Sequence, residues 1–164
     1  MNQRLSPLYY FAYGSNMNPD RVAERKLDTT GNPIPGVLHN FDLRFNKISR
    51  YRKGAASANI VPVFGGTVSG VLYRLSSSQD IKSMDVFENS PEDYAREAVF
   101  VHVSQESAHD GETTVVSAWT YIAKPHAIDD RLRPTREYVG HLLASPFMTS
   151  FERERLQTLE FHDD

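Results

Sequence analysis

Leu8-Tyr9-Tyr10-Phe11-Ala12-Tyr13-Gly14-Ser15-Asn16-Met17-Asn18-Pro19-Asp20 passes from an aromatic, apolar run through one glycine into small polar residues. A short apolar run stopped by glycine reads as a buried strand over 8–13. Asn18 as N-cap, Pro19 at the first helical position and Asp20 in the first turn predict a short helix reaching Lys26.

Outward from this strand, 30–36 is turn material, and 37–45 partly alternates and reads as a second strand. An Arg/Lys-rich loop follows, then a third strand over 55–63 with Pro62 near its end. Gly65-Gly66 reads as a turn and 67–75 as a fourth strand, with Gly70 marking a bulge or a close backbone approach. One of Ser76, Ser77 and Ser78 is expected to cap a helix that turns Ile81, Met84, Val86 and Phe87 inward. Two β-branched, aromatic strands over 94–103 and 113–123 read as a hairpin joined across Ala108-His109-Asp110-Gly111. Helical patterns follow over 134–143 and from Thr149 or Ser150, the last carrying Phe151, Leu156 and Leu159. About six strands with few long helices exclude a doubly wound parallel sheet. The pattern predicts an α+β domain, an antiparallel or mixed sheet curled enough to enclose a pocket, with no repeat or linker over 1–164.

Composition agrees with one folded domain. The chain has 164 residues, 18 Lys plus Arg, 21 Asp plus Glu and a net charge of −3, with 40% hydrophobic and 11% aromatic residues. That is enough for a core that hides roughly two thirds of the unfolded surface, and too apolar for a disordered chain. No apolar run approaches the ~18–20 residues of a membrane span, and Met1 to Pro7 lacks an apolar signal core, so a cytoplasmic protein without membrane contact is expected. Zero cysteines exclude disulfides, a thiolate nucleophile and a cysteine zinc site. His39, His102, His109, His126, His141 and His162 show no metal-ligand spacing, so neither metal nor cofactor is expected.

Charge is uneven along the chain. Residues 1–60 carry nine basic and four acidic side chains, and 61–164 carry nine and seventeen. The basic excess sits in 44–53, interleaved with aromatics. It reads as a solvated loop, as a rim that attracts an acidic small molecule, or as a nucleic-acid contact. Negative net charge and the absence of a nucleic-acid motif weigh against the third, so no nucleic-acid partner is expected.

Two stretches carry chemistry. In the first, free N–H groups of the turn and the start of the helix make an anion cradle at Gly14-Ser15-Asn16, with side-chain hydrogen bonds from Ser15 and Asn16. The spacing is not that of a P-loop. Ser15 lacks the G-x-S-x-G setting of a nucleophile. Gly, Ser and Asn also serve turn geometry alone, and both readings stand. In the second, Glu88 falls where a helix gives way to a turn beside Phe87. Apolar walls there would raise its pKa and make it a proton acceptor and donor near neutral pH; the bland reading is a solvated helix end. Asp85, Glu92 and Asp93 read as surface residues, and Arg96 as a partner of Glu88 or of a neighbouring acid.

Together these stretches resemble the γ-glutamylcyclotransferase-like superfamily. The likeness runs through 10–17 (Tyr-Phe-Ala-Tyr-Gly-Ser-Asn-Met), Ser69-Gly70-Val71-Leu72-Tyr73-Arg74-Leu75 and Met84-Asp85-Val86-Phe87-Glu88. It continues through Tyr94-Ala95-Arg96-Glu97-Ala98-Val99, Ala118-Trp119-Thr120-Tyr121 and Pro134-Thr135-Arg136-Glu137-Tyr138, covering most of 9–143. The resemblance implies a small mixed β-barrel with short flanking helices, no cofactor and a small-molecule γ-glutamyl substrate. It implies that the substrate's α-amine attacks its own γ-carbonyl, releasing 5-oxoproline and a free amine or amino acid. By the same resemblance, the loop of Tyr10, Phe11, Ala12, Tyr13, Gly14, Ser15 and Asn16 holds the glutamyl moiety, Glu88 is the general acid/base, and Tyr138 sits over the substrate. Members of the superfamily act on γ-glutamyl amino acids, glutathione, γ-glutamyl amines or a carrier-bound γ-glutamyl group. The 46–54 and 124–137 segments are where selection among them is expected. A non-catalytic carboxylate-binding module of the same fold is the alternative.

Overall fold

Both faces of the first strand are apolar, and both are covered. The computed structural model describes residues 6–104 and 113–163. Among these, the strands are β1 (Tyr9–Ala12), β2 (Thr29–Ile48), β3 (Ala56–Leu75), β4 (Tyr94–Ser104) and β5 (Thr113–Ala123). They close into a barrel in the order β1-β3-β2-β4-β5. β1 runs antiparallel to β3, with Phe11 opposite Leu72, and parallel to β5, with Tyr10 opposite Trp119. Its alternate side chains feed two cores. Tyr10 and Ala12 join Met17, Val71, Tyr73, Ile81, Met84 and Tyr121. Phe11 and Tyr13 join Leu38, Ile60, Val68, Leu72, Val101 and Ala118. The period-2 geometry of a strand makes that division automatic.

Four short helices flank the barrel: α1 (Pro19–Glu24), α2 (Ile81–Phe87), α3 (Arg136–Leu143) and α4 (Ser150–Gln157). α1 starts as its sequence predicts: Pro19 opens it and the Asn18 side chain accepts from the Asp20 N–H at 3.1 Å. Thr135 caps α3 by accepting from the Tyr138 N–H, and Thr149 and Glu152 form a capping box on α4. Leu156 packs against Val139, Leu142 and Phe161, while Phe151 is exposed.

The structure departs from the sequence pattern at several points. Residues 55–63 and 67–75 are one continuous strand, so the barrel has five strands where six were expected. Gly65-Gly66 turns nothing. It lies in a bulge where residues 63–66 of β3 face Asn40 alone, and the Gly65 N–H donates to Asn40 Oδ1 at 3.1 Å. The 30–36 segment is likewise strand, its Gly31-Asn32-Pro33 forming a bulge between the Thr30–Arg74 and Ile34–Leu72 pairs. No serine side chain caps α2; Asp80 occupies the N-cap position without a side-chain bond to the helix, its carboxylate accepting instead from the Ser77 N–H at 2.6 Å. Ile81 and Met84 are buried as expected, but Val86 is exposed and Phe87 half-exposed. A seven-residue helix that buries 81 and 84 turns 85 and 88 to the same side and 86 and 87 away. The β4–β5 pairing is the expected hairpin; its Ala108-His109-Asp110-Gly111 turn lies outside the described residues. Gly70 does mark a close approach, since a Cβ there would stand 2.5 Å from the Ala12 carbonyl oxygen and the Phe11 ring.

Candidate active site

A cavity of about 650 Å³ opens where β1 hands over to α1. Its wall takes Tyr10, Phe11, Tyr13, Gly14, Ser15 and Asn16 from the first stretch, Glu88 from the end of α2, and Tyr138 from α3. Of the residues anticipated from the sequence, Ala12 alone is not on this wall; it is packed in the core, 1% exposed.

After β1 the chain makes a three-residue 3-10 helix, Ser15–Met17. The Met17 N–H donates to the Gly14 carbonyl, but no backbone carbonyl among the described residues accepts from the Gly14, Ser15 or Asn16 N–H. These are the donors an anion cradle needs. Tyr138 closes over them. Its hydroxyl oxygen accepts from the Ala58 N–H at 3.0 Å and is also faced by the Ser15 N–H. Gly14 fits beneath because it has no side chain: a Cβ would stand 3.0 Å from that hydroxyl. Tyr94 donates to the Ala58 carbonyl at 2.7 Å, so two tyrosines bond the N–H and the C=O of a single β3 residue.

Glu88 is placed by the end of α2. Its N–H donates to the Met84 carbonyl, and Asn89, at φ 47°, takes the left-handed conformation that stops the helix. Behind the helix, Tyr121 donates to Asp85 at 2.7 Å, and Arg96 binds the same carboxylate at 2.8 Å while lying over the Trp119 ring. Asp85 is therefore a half-buried anchor for α2, not a surface residue, and Arg96 pairs with it and not with Glu88. Asp93 is likewise partly buried and paired, with Lys47 at 3.1 Å; Glu92 is exposed as expected.

The Glu88 side chain is 18% exposed. Burial pushes its carboxyl above the ordinary glutamate value, against the opposing pull of Arg25, Lys47 and Arg21. Arg25 stands 3.7 Å from Oε1 and stacks over the Phe87 ring, and Asn16 Nδ2 reaches the same oxygen at 3.3 Å. Burial also holds the hydroxyls of Tyr10, Tyr13, Tyr94 and Tyr138 above the ordinary tyrosine value, so all four are neutral at neutral pH.

The basic 44–53 segment is not a free loop. Residues 44–48 complete β2, Asn46 and Lys47 are buried, and Ser49, Arg50, Tyr51 and Arg52 line the cavity mouth. The reading as a rim fits this placement. Arg21 and Arg25 are wall cations that pattern reading missed, whereas Lys47 belongs to the basic segment already read as a rim. The i, i+4 spacing of Arg21 and Arg25, directly after the glycine loop, was the available signal. Among the described residues no three His, Asp or Glu side chains are grouped to hold a metal, and no helix is long and apolar enough to cross a membrane.

A family model described as gamma-glutamyl cyclotransferase, AIG2-like, matches residues 10–139. Among solved structures, the chain is similar to an uncharacterized protein from Homo sapiens, at 21% identity and a TM-score of 0.70, over 97% of this chain and 91% of that one. It is also similar to a protein titled gamma-glutamyl cyclotransferase, at 20% identity and a TM-score of 0.67, over 96% and 90% of the two chains. A yeast cyclotransferase specific to glutathione aligns at 14% identity and a TM-score of 0.56, over 97% and 91%. At these identities the likeness is one of fold. No curated protein matches the sequence.

Proposed function

The chain belongs to the gamma-glutamyl cyclotransferase, AIG2-like family, and from that premise we propose that it cyclises the glutamyl end of a γ-glutamyl amide. One observation carries the reading. Glu88, whose carboxyl burial holds above its ordinary value, shares a cavity with the amides of Gly14, Ser15 and Asn16, none of which donates to a backbone carbonyl among the described residues.

The glutamyl α-carboxylate binds the loop amides, which curls the side chain so that its own amine faces its γ-carbonyl. Alignment of this intramolecular kind lowers a barrier by roughly 7–11 kcal/mol. Glu88 takes a proton from the α-ammonium. The freed nitrogen attacks the γ-carbon, and the new N–C bond closes a five-membered ring. N–H donors of the loop stabilise the oxyanion of the tetrahedral intermediate. Glu88 then gives its proton to the departing nitrogen as the old C–N bond breaks, and the second proton of the ring nitrogen passes through the same carboxylate to the freed amine, leaving 5-oxoproline and an ammonium product. A carboxyl with a raised pKa suits both halves of this exchange.

The test is 5-oxoproline release from a panel of γ-glutamyl compounds by wild type and by Glu88→Gln. A loss of about 10²-fold or more is expected in the variant. Equal turnover removes Glu88 from the mechanism. Binding of panel members with no product from any of them favours the carboxylate-binding module.

A further inference from the structure

Three cations act on Glu88: Arg25, Lys47 and Arg21. Two have acid partners. Arg25 stands 3.7 Å from Glu88 itself, and Lys47 is buried against Asp93 at 3.1 Å with the Tyr94 ring beneath it. Arg21, on α1 one helical turn before Arg25, has a side chain with no hydrogen bond or ion pair among the described residues, and its Nε is buried with no partner. A buried donor left unmatched is rare and costly in a folded protein unless something outside the chain satisfies it. Arg21 also lines the cavity.

We propose that Arg21 is a specificity-determining residue that binds an acid group on the departing amine, which makes the substrates γ-glutamyl amides of α-amino acids or peptides. This rests on the cyclotransferase reading, because Glu88 must reach the departing nitrogen. In an α-amino acid the carboxylate lies two bonds from that nitrogen and is therefore brought beside Glu88. Two carboxylates together repel unless a cation lies between or next to them. Arg21 is the guanidinium near Glu88 without an acid of its own, and its planar fork suits a carboxylate. Arg50 and Arg52 at the cavity mouth extend the same polarity outward; Arg50 reaches Asp93 only at 3.9 Å, and Arg52 has no ion pair among the described residues. A polyamine leaving group would instead bring a second ammonium toward these arginines.

Two substrates isolate the feature: γ-glutamyl-alanine, and γ-glutamyl-ethylamine, which lacks only the carboxylate in question. Wild type is expected to favour γ-glutamyl-alanine by about tenfold or more in kcat/KM, the scale of one charge-assisted contact. Arg21→Gln is expected to collapse that ratio, and Arg21→Lys to restore part of it. Equal kcat/KM for the two substrates in wild type overturns the inference and needs no variant that folds. A uniform loss on both substrates in Arg21→Gln assigns Arg21 to the glutamyl carboxylate and overturns it too. Product from both at equal rates leaves the cyclotransferase reading standing; product from no γ-glutamyl compound removes that reading and this one with it.

Discussion

The side-chain amide of Asn16 ties the glycine loop directly to Glu88, with Nδ2 3.3 Å from Oε1. The same nitrogen reaches Tyr10 Oη at 2.9 Å and Met84 Sδ at 3.5 Å, and the Asn16 carbonyl accepts from Tyr73 at 2.7 Å. One residue thus fixes the distance between the cradle and the acid, with contacts to β1, β3 and α2. Cradle and acid are a single rigid unit, and changes at either are felt as changes in both charge and geometry.

Glu88 should set a pH-dependent stability that Glu88→Gln abolishes. Burial raises its folded pKa above the unfolded value near 4.5. Between those two values the native state binds more protons than the unfolded chain, so stability falls as pH rises through the window. The loss is complete above the folded pKa and absent below 4.5. The Tm of Glu88→Gln minus that of wild type is therefore expected to be more positive at neutral pH than below 4.5. A difference that does not change with pH means the carboxyl is not raised.

Much of the barrel was legible because strand and cap chemistry are local. The Tyr9–Ala12 run, the Asn18-Pro19 start of α1 and the Thr149 cap of α4 all formed as their residues dictate. The bulges at 31–33 and 63–66 were not legible: their Gly, Asn and Pro residues carry turn chemistry, and only the partner strand decides that the chain continues. Val86 and Phe87 misled for a related reason. Their apolar character pointed inward, while the phase set by Ile81 and Met84 turns them out. At the site, the glycine loop and Glu88 stood out through their joint likeness to a known family's motifs, since turn geometry and a solvated helix end account for their residue types equally well. Arg21 and Arg25 did not, because a surface cation and a buried one look alike until the fold brings an acid beside one of them.

Arg25 is the strongest force holding the Glu88 pKa down against burial, so its removal should carry that pKa higher. Glu88 must be ionised to accept a proton. The acidic limb of kcat/KM against pH is therefore expected to move to higher pH in Arg25→Met, which keeps an apolar stem over the Phe87 ring. A limb that stays in place while kcat/KM falls at every pH would make Arg25 a contact for substrate, with no hold on the acid.

Gly14 and Tyr138 should prove energetically coupled. A Cβ on residue 14 would stand 3.0 Å from the Tyr138 hydroxyl oxygen and 3.2 Å from the Ala58 Cβ. The hydroxyl cannot retreat freely, because it accepts from the Ala58 N–H at 3.0 Å and Ala58 is itself buried. Gly14→Ala is thus expected to strain this contact, and Tyr138→Phe to leave the Ala58 N–H without its acceptor, at about 1–3 kcal/mol. In the double variant the oxygen is already gone, so the strain it caused cannot be added again. Only the tighter contact with the Ala58 methyl remains. Urea unfolding of the four proteins, with a common m-value, should show a combined loss smaller than the sum of the single losses by about 0.5–3 kcal/mol. Strict additivity would mean that the hydroxyl does not set the space at residue 14, and that the glycine is required there by the Ala58 side alone.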